Sequence, residues 1–278
     1  MTMTQISILG CGWLGLPLAK TLLENGFSVN GSTTSAGKLS VMENMGIQPY
    51  LIALSENETV GNLSDFLENS KILIIDVPPK LRGSATDPSS APRKTFVFKI
   101  KNMIPFIEKS TVKNVLFISS TSVYGDTSTA LSVTEEIKTC PETESGKQLL
   151  ETEQLLQSNS NFKTTVLRFG GLIGEDRHPI KFLAGRTNIE NPNAPINLIH
   201  QEDCIGIIQK IIELNSWNQA FNAVTPFHPS RKDYYTQKAI DLNLDLPVFN
   251  EEDSGTGKII SSSKIEKVLE YQFARPSL

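Results

Sequence analysis

Cysteine is scarce in this chain: Cys11, Cys140 and Cys204 form an odd count with neither close pairing nor metal-ligand spacing. That excludes a disulfide-stapled scaffold, predicts no metal site, and points to reduced thiols in a cytoplasmic protein. An excess of positive charge is also missing, with 26 Lys and Arg against 30 Asp and Glu. Holding nucleic acid needs a basic face that displaces counterions, so no nucleic-acid partner is expected. No apolar run is long enough to cross a bilayer. The first residues, M-T-M-T-Q, lead into a short apolar strand without the basic lead, long apolar core and small-residue cleavage site of a secretory leader. No membrane partner is therefore expected. Internal repeats and low-complexity tracts are absent too. What is present is ordinary and globular: 278 residues, 39% hydrophobic and 20% charged, enough to bury a full core.

Apolar periodicity organises the chain. Gln5 to Leu9 reads as a strand ended by Gly10, and Trp13 to Asn25 has helical spacing that stops at Asn25-Gly26, a usual C-cap pair. Further strands are expected at Phe27 to Ser32, Ile47 to Ala53, Lys71 to Val77, Asn114 to Ser119 and Thr164 to Phe169. Helices are expected at Ala36 to Met45, Val60 to Glu68, Glu142 to Gln157 and Arg93 to Lys109, the last ended or kinked by Pro105. Arg82 to Pro92 is polar and too long for a plain connector, which makes it a candidate lid. Strands alternating with helices predict a parallel sheet covered on both faces, the doubly wound α/β or Rossmann arrangement. After Gly170 the rhythm breaks into shorter elements: strands at Ile196 to His200 and near Ala220 to Val224, and helices at Asp203 to Leu214, Arg231 to Leu242 and Ser263 to Glu270. The expected division is an NAD(P)-binding domain over 1–170 and a smaller substrate-binding lobe over 171–278.

The stretch I-L-G-C-G-W-L-G places Gly10, Gly12 and Gly15 in G-x-G-x-x-G spacing, with Trp13 and Leu14 inside it, between the first strand and the first helix. One glycine makes the tight turn, the second lets a pyrophosphate approach the backbone, and the third lets helix and strand pack closely. The helix start then offers free amides and a positive dipole end to phosphate. Val77 and Pro78, after the fourth strand, border the same crevice, and Asp76 before them reads as a turn residue. An NAD site usually ends its second strand in an acid that grips the ribose diol. No acid lies between Glu24 and Glu43. Ser32, Thr33, Thr34, Ser35 and Lys38 stand there instead, hydroxyls and one cation suited to a 2'-phosphate, so NADP is the preferred cofactor and NAD the alternative. The same residues also suit turns and helix caps.

The fifth strand, N-V-L-F-I-S-S-T-S-V-Y-G, resembles the active-site strand of the extended short-chain dehydrogenase/reductases, the NAD-dependent epimerase/dehydratase-like family. T-V-L-R-F-G-G-L-I-G is similar to that family's sixth strand and following turn, and I-N-L-I-H-Q-E-D-C to its substrate-side strand. The resemblance covers nearly the whole chain. It implies a doubly wound NAD(P)-binding domain with a small substrate lobe, in a monomer or homodimer. The family's catalytic Ser/Thr falls on Ser120. Its catalytic tyrosine, one helical turn before a lysine, falls on Ser145, and the lysine on Leu149; sliding the register to use Lys147 puts Thr143 at the tyrosine. The pair is missing in either register, which places the chain in the atypical part of the family. An aliphatic alcohol is too weak an acid to stand in for the phenol near neutral pH.

Other groups remain for chemistry. His178 lies in G-E-D-R-H-P-I-K-F-L-A-G-R with Arg177, Lys181 and Arg186, a cationic set that would suit an anionic substrate such as a phosphate or nucleotide-sugar, or form a solvated loop. His200 is a candidate substrate contact, although a histidine ending an apolar strand is more often structural. His228, in a proline-flanked turn, reads as structural. Tyr124 could supply a phenol, but its family counterpart is not the proton donor. The expected protein is an NAD(P)-dependent oxidoreductase or epimerase-like enzyme acting on a small polar substrate. Ser120 would face the reacting oxygen, and Tyr124, His178 or a water would give the proton. The alternative is an NADP-binding sensor or scaffold without turnover.

Overall fold

Runs of Ile, Leu and Val bounded by glycine and polar turns fold into the expected sheet in the computed structural model, which describes residues 3–79, 94–125, 132–253, 255 and 257–278. The candidate lid at Arg82 to Pro92 lies outside the described residues. The chain runs β1 (Gln5–Leu9), α1 (Gly15–Glu24), β2 (Ser28–Thr33), α2 (Leu39–Asn44), β3 (Gln48–Leu51), α3 (Leu63–Leu67) and β4 (Ser70–Ile75). It continues through α4 (Thr95–Lys101), α5 (Ile104–Lys109), β5 (Asn114–Ser120), α6 (Glu144–Gln157) and β6 (Lys163–Phe169). Pro105 sits in the first turn of α5, so the single helix expected there is two.

Seven strands form one parallel sheet in the order β9-β6-β5-β4-β1-β2-β3, where β9 is Ala220–Ala223. From β1 the chain winds out to β3, then returns to β4 and winds the other way. The order therefore reverses between β1 and β4, and a crevice opens there at the strands' carboxyl ends. Both faces are covered, which is why the central strands are continuously apolar. Along β4 the side chains alternate: Ile72 and Ile74 pack with Leu18 and Leu22 of α1, and Leu73 and Ile75 with Phe66, Phe96 and Ile100 on the other face.

The segment after Gly170 divides its work. It forms a short parallel pair, β7 (Gly171–Ile173) and β8 (Leu198–His200), with α7 (Ile180–Leu183) and α9 (Arg231–Asp241) around a separate cluster of Ile180, Ile196, Tyr234, Tyr235 and Phe249. It also supplies the main sheet with β9, which pairs Ala220 to Ala223 against Val166 to Phe169 of β6. Two further helices, α8 (Gln201–Glu213) and α10 (Ser263–Leu269), add Ile207, Ile211 and Ile265 to the α1 face. The strand expected near Ala220 is thus an edge of the large sheet, because Phe221 and Ala223 are fully buried only between β6 and these helices. Among the described residues, no helix is long and apolar enough to cross a membrane.

Candidate functional site

The glycine turn sits at the crevice, and its three glycines are not equivalent. Gly10 has φ +109°, a conformation that side chains avoid, and an added Cβ there would strike the carbonyl of Asp76. At Gly15 a Cβ would strike the carbonyl of Gly10. At Gly12 a Cβ would meet nothing within 4 Å. Two glycines therefore close the turn and the third leaves an open face. The N-cap position of α1, Leu14, contributes no side-chain cap, and its first turn holds no acid of its own, so amides at the helix start face the crevice with the positive end of the dipole.

Ser32 holds the turn rather than facing a ligand: its hydroxyl accepts from Gly10 N–H at 2.9 Å and its carbonyl from Cys11 N–H at 2.7 Å. It is 2% exposed, which removes it from the predicted adenosine-end contacts. The Thr33 hydroxyl accepts from Ser35 N–H at 3.1 Å as a turn residue. Thr34, Ser35 and Lys38 remain exposed at the end of β2. Val77 packs against Gly10, and Pro78 is exposed beside it.

A loop from the smaller lobe reaches this turn. The Trp13 indole N–H donates to Asp176 Oδ1 at 2.8 Å, and the Arg177 guanidinium lies 4.9 Å over the indole ring. The Gln201 amide donates to the Trp13 carbonyl at 2.6 Å, and Gly174 leaves the ring its space. Arg177, expected at the substrate, thus stands at the glycine turn. Asp76, read from sequence as a turn residue, is a partly buried carboxylate that accepts from Gly15 N–H. Burial pushes its pKa up to about 7, while that hydrogen bond and the charge of Arg177 pull the other way.

Ser120 ends β5 and is partly buried, its hydroxyl accepting from Ser122 N–H at 3.2 Å. The helix behind it, α6, has no catalytic pair in either register. Ser145 is partly buried, Leu149 is 4% exposed within the apolar core, Lys147 points to solvent, and Thr143 caps the helix by accepting from Gly146 N–H at 3.1 Å. The helix faces inward with Glu153 instead. Its carboxylate accepts from the Arg168 guanidinium at 2.6 to 3.2 Å and from Ser119 Oγ at 2.5 Å. Arg168 also donates to the Tyr124 hydroxyl at 2.6 Å, and that hydroxyl donates to Asn222 Oδ1 at 2.9 Å.

These bonds correct the expected proton donors. Tyr124 is 3% exposed, its phenol is committed to Arg168 and Asn222, and burial raises its pKa. His178 Nδ1 accepts from Ile180 N–H at 3.1 Å and Nε2 pairs with the Tyr234 hydroxyl at 2.9 Å. Burial, then Lys238 and Lys181, hold its pKa down at about 4. The ring is neutral near pH 7, so His178 does not belong to a cationic cluster. Lys181 folds back on the Asp176 carbonyl at 3.0 Å, and Arg186 is exposed. His200 caps α8, its Nδ1 accepting from Glu202 N–H at 3.2 Å. The cluster read around residue 178 is therefore dispersed. Asp176 and Gln201, which sequence reasoning passed over, lie at the glycine turn together with Asp76, which it read as a turn residue.

The strand order and the glycine turn after β1 define a doubly wound, Rossmann-like α/β fold. No protein-family model matches the chain. It is 34% identical over 279 residues to Protein YeeZ of Escherichia coli K12, covering 99% of this chain and 98% of that one, and it belongs to that protein's family. Two solved structures share the fold. One is a functionally unknown conserved protein from Silicibacter pomeroyi, with TM-score 0.78 and 20% identity over 99% of this chain and 95% of the other. The second is UDP-glucuronic acid 4-epimerase from Bacillus cereus in complex with UDP-glucuronic acid and NAD, with TM-score 0.78 and 18% identity over 98% and 94%.

Proposed function

We propose that the chain binds a nicotinamide dinucleotide across the carboxyl ends of β1 and β4, and acts as an NAD(P)-dependent oxidoreductase or epimerase-like enzyme on a small polar substrate. The open face of Gly12, flanked by two glycines that the fold itself requires, carries the reading: packing explains Gly10 and Gly15 but leaves Gly12 free. The amides of Trp13 and Leu14 would meet the pyrophosphate over the open face of Gly12, whose own N–H donates to the Gly10 carbonyl at 2.8 Å, and Val77 and Pro78 would line the adenosine side. Thr34, Ser35 and Lys38 would take a 2'-phosphate, which favours NADP over NAD where β2 ends without an acid. Bound there, the nicotinamide supplies hydride exchange.

Ser120 would hydrogen-bond the reacting oxygen, and with Tyr124 and His178 committed elsewhere, a water held at Ser120 would carry the proton. The substrate side would be closed by the segment 171–278, and an anionic substrate such as a nucleotide-sugar fits the similarity to the Bacillus cereus epimerase fold. The protein would work in the cytoplasm as a monomer or homodimer.

The commitment of the Tyr124 phenol and the His178 ring favours a second reading, an NADP-binding sensor or scaffold without turnover. Titration with NADPH and NADH, followed by a screen of nucleotide-sugars and small carbonyl compounds, separates the two. Turnover that falls sharply in Ser120→Ala supports the enzyme, binding without turnover supports the sensor, and no binding of either nucleotide ends both.

A further inference from the structure

The small lobe reaches the glycine turn through one tight hairpin. Gly174 N–H donates to the Arg177 carbonyl at 2.8 Å and Arg177 N–H to the Gly174 carbonyl at 3.2 Å, so Glu175 and Asp176 form a tip between two fixed backbones. The Lys181 ammonium braces that tip by donating to the Asp176 carbonyl at 3.0 Å. Trp13 is held against it from several directions. Its indole N–H donates to Asp176 Oδ1 at 2.8 Å, its carbonyl accepts from the Gln201 amide at 2.6 Å, and its ring lies so close to Gly174 that a Cβ there would stand 2.7 Å from it.

Arg177 differs from the rest of this clasp in having donors to spare. It is exposed, its guanidinium lies 4.9 Å over the Trp13 ring, and among the described residues that guanidinium makes no hydrogen bond and no ion pair. Stacking holds a guanidinium through its face and leaves the forked N–H groups of its edge to donate, an arrangement that matches phosphate oxygens. The crevice needs such a cation. Asp76 Oδ2 lies 3.1 Å from where a Gly15 Cβ would be, which puts a carboxylate at the start of α1. A pyrophosphate would bring more negative charge to the same place, and a helix dipole offers about half a positive charge against it.

We propose that Arg177 is a dinucleotide-binding residue contributed by the small lobe: its guanidinium, carried on the hairpin and oriented by Trp13, donates to the pyrophosphate oxygens at the open face of Gly12. The proposal rests on the dinucleotide-binding reading above and adds a residue to it from outside the β-α-β unit. It gives the hairpin a reason to be built against Trp13, because bonds to both the edge and the carbonyl of one turn residue fix where the guanidinium stands. It also makes the lobe part of the nucleotide site, so that ligand and lobe hold each other in place.

The test is calorimetric titration of the nucleotide-stripped full chain with NADPH and with NADH, in the parent, Arg177→Gln and Arg177→Lys, followed by phosphorus and proton NMR of the tighter-bound nucleotide at saturation. Arg177→Gln should melt with the parent, since the side chain is exposed, and bind about tenfold or more weakly, as expected for loss of a charge-assisted hydrogen bond to phosphate. Arg177→Lys, which keeps the charge without the fork, should recover part of that loss. In the Gln variant the pyrophosphate resonances of the bound nucleotide should move while its adenine proton resonances stay, a signature that a purely structural role for Arg177 would not give. Unchanged affinity in Arg177→Gln, or weaker binding with the pyrophosphate resonances unmoved, overturns the proposal while the dinucleotide reading stands. No heat with either nucleotide in the parent removes both.

Discussion

Removing Glu153 should unfold the protein at a much lower temperature while saying nothing about catalysis, because this carboxylate holds the sheet to α6. The pair it makes with Arg168 is buried, with the two side chains 1% and 8% exposed. Glu153→Ala leaves the guanidinium with Tyr124 as its remaining side-chain hydrogen-bond partner and strips Ser119 Oγ of its acceptor. Breaking one side of a buried, hydrogen-bonded pair costs about 3–5 kcal/mol. At about 2–4 °C per kcal/mol for a chain of this size, Tm should fall by roughly 6–20 °C in a thermal melt followed by circular dichroism. Replacing both partners with apolar residues, Glu153→Leu with Arg168→Met, should restore most of the loss, since desolvation of the pair offsets much of its attraction. Breaking the exposed Lys232–Glu251 pair by Glu251→Ala should leave the melting temperature nearly unchanged, because solvent screens that pair. A Glu153→Ala cost as small as that of the exposed pair would refute the claim that the buried charge of α6 is structural.

Other expectations follow from single residues. Gly15→Ala should destabilise strongly or fail to fold, whereas Gly12→Ala should melt within about 0.5 kcal/mol of the parent, because only the first meets backbone. Asp203→Ala removes the acceptor for the Tyr271 hydroxyl at 2.9 Å and the Ala274 and Arg275 amides at 2.7 and 3.2 Å. It should cost about 1–3 kcal/mol and open the segment 271–275 to limited proteolysis. Without ligand, the carboxyl of Asp76 has its folded pKa raised from 3.8 to about 7, so its contribution is present in acid and lost as pH rises through that window. Asp76→Asn should therefore gain stability over the parent progressively from about pH 4 to 8, read from urea midpoints. His178 runs the opposite way: its folded pKa is lowered from 6.5 to about 4, so the unfolded chain binds the proton first and stability falls as pH drops through that range. His178→Gln should flatten that acid limb.

The glycine turn and the winding of the sheet were legible because both are local patterns: G-x-G-x-x-G after an apolar run, and strands and helices in alternation. The place of Ala220–Ala223 was not, since sheet order is set by pairing between distant segments, here with β6. The contacts around Trp13 span 163 residues to Asp176 and 188 to Gln201, beyond any spacing rule. Arg168 did carry a signal. It is a charge inside the apolar strand T-T-V-L-R-F, and a charge there requires a buried partner. The basic loop misled because charge was counted without regard to direction: Lys181 turns to a backbone carbonyl, and the His178 ring is neutral.

The most direct test of the account is the affinity of nucleotide-stripped protein for NADPH, measured by quenching of Trp13 and Trp217 emission, in the parent chain and in Gly12→Val. Saturable binding in the parent, lost in a variant whose melting temperature is unchanged, is the predicted result. Equal binding in the two proteins, or none in the parent, would contradict the claim that the open face of Gly12 holds a dinucleotide.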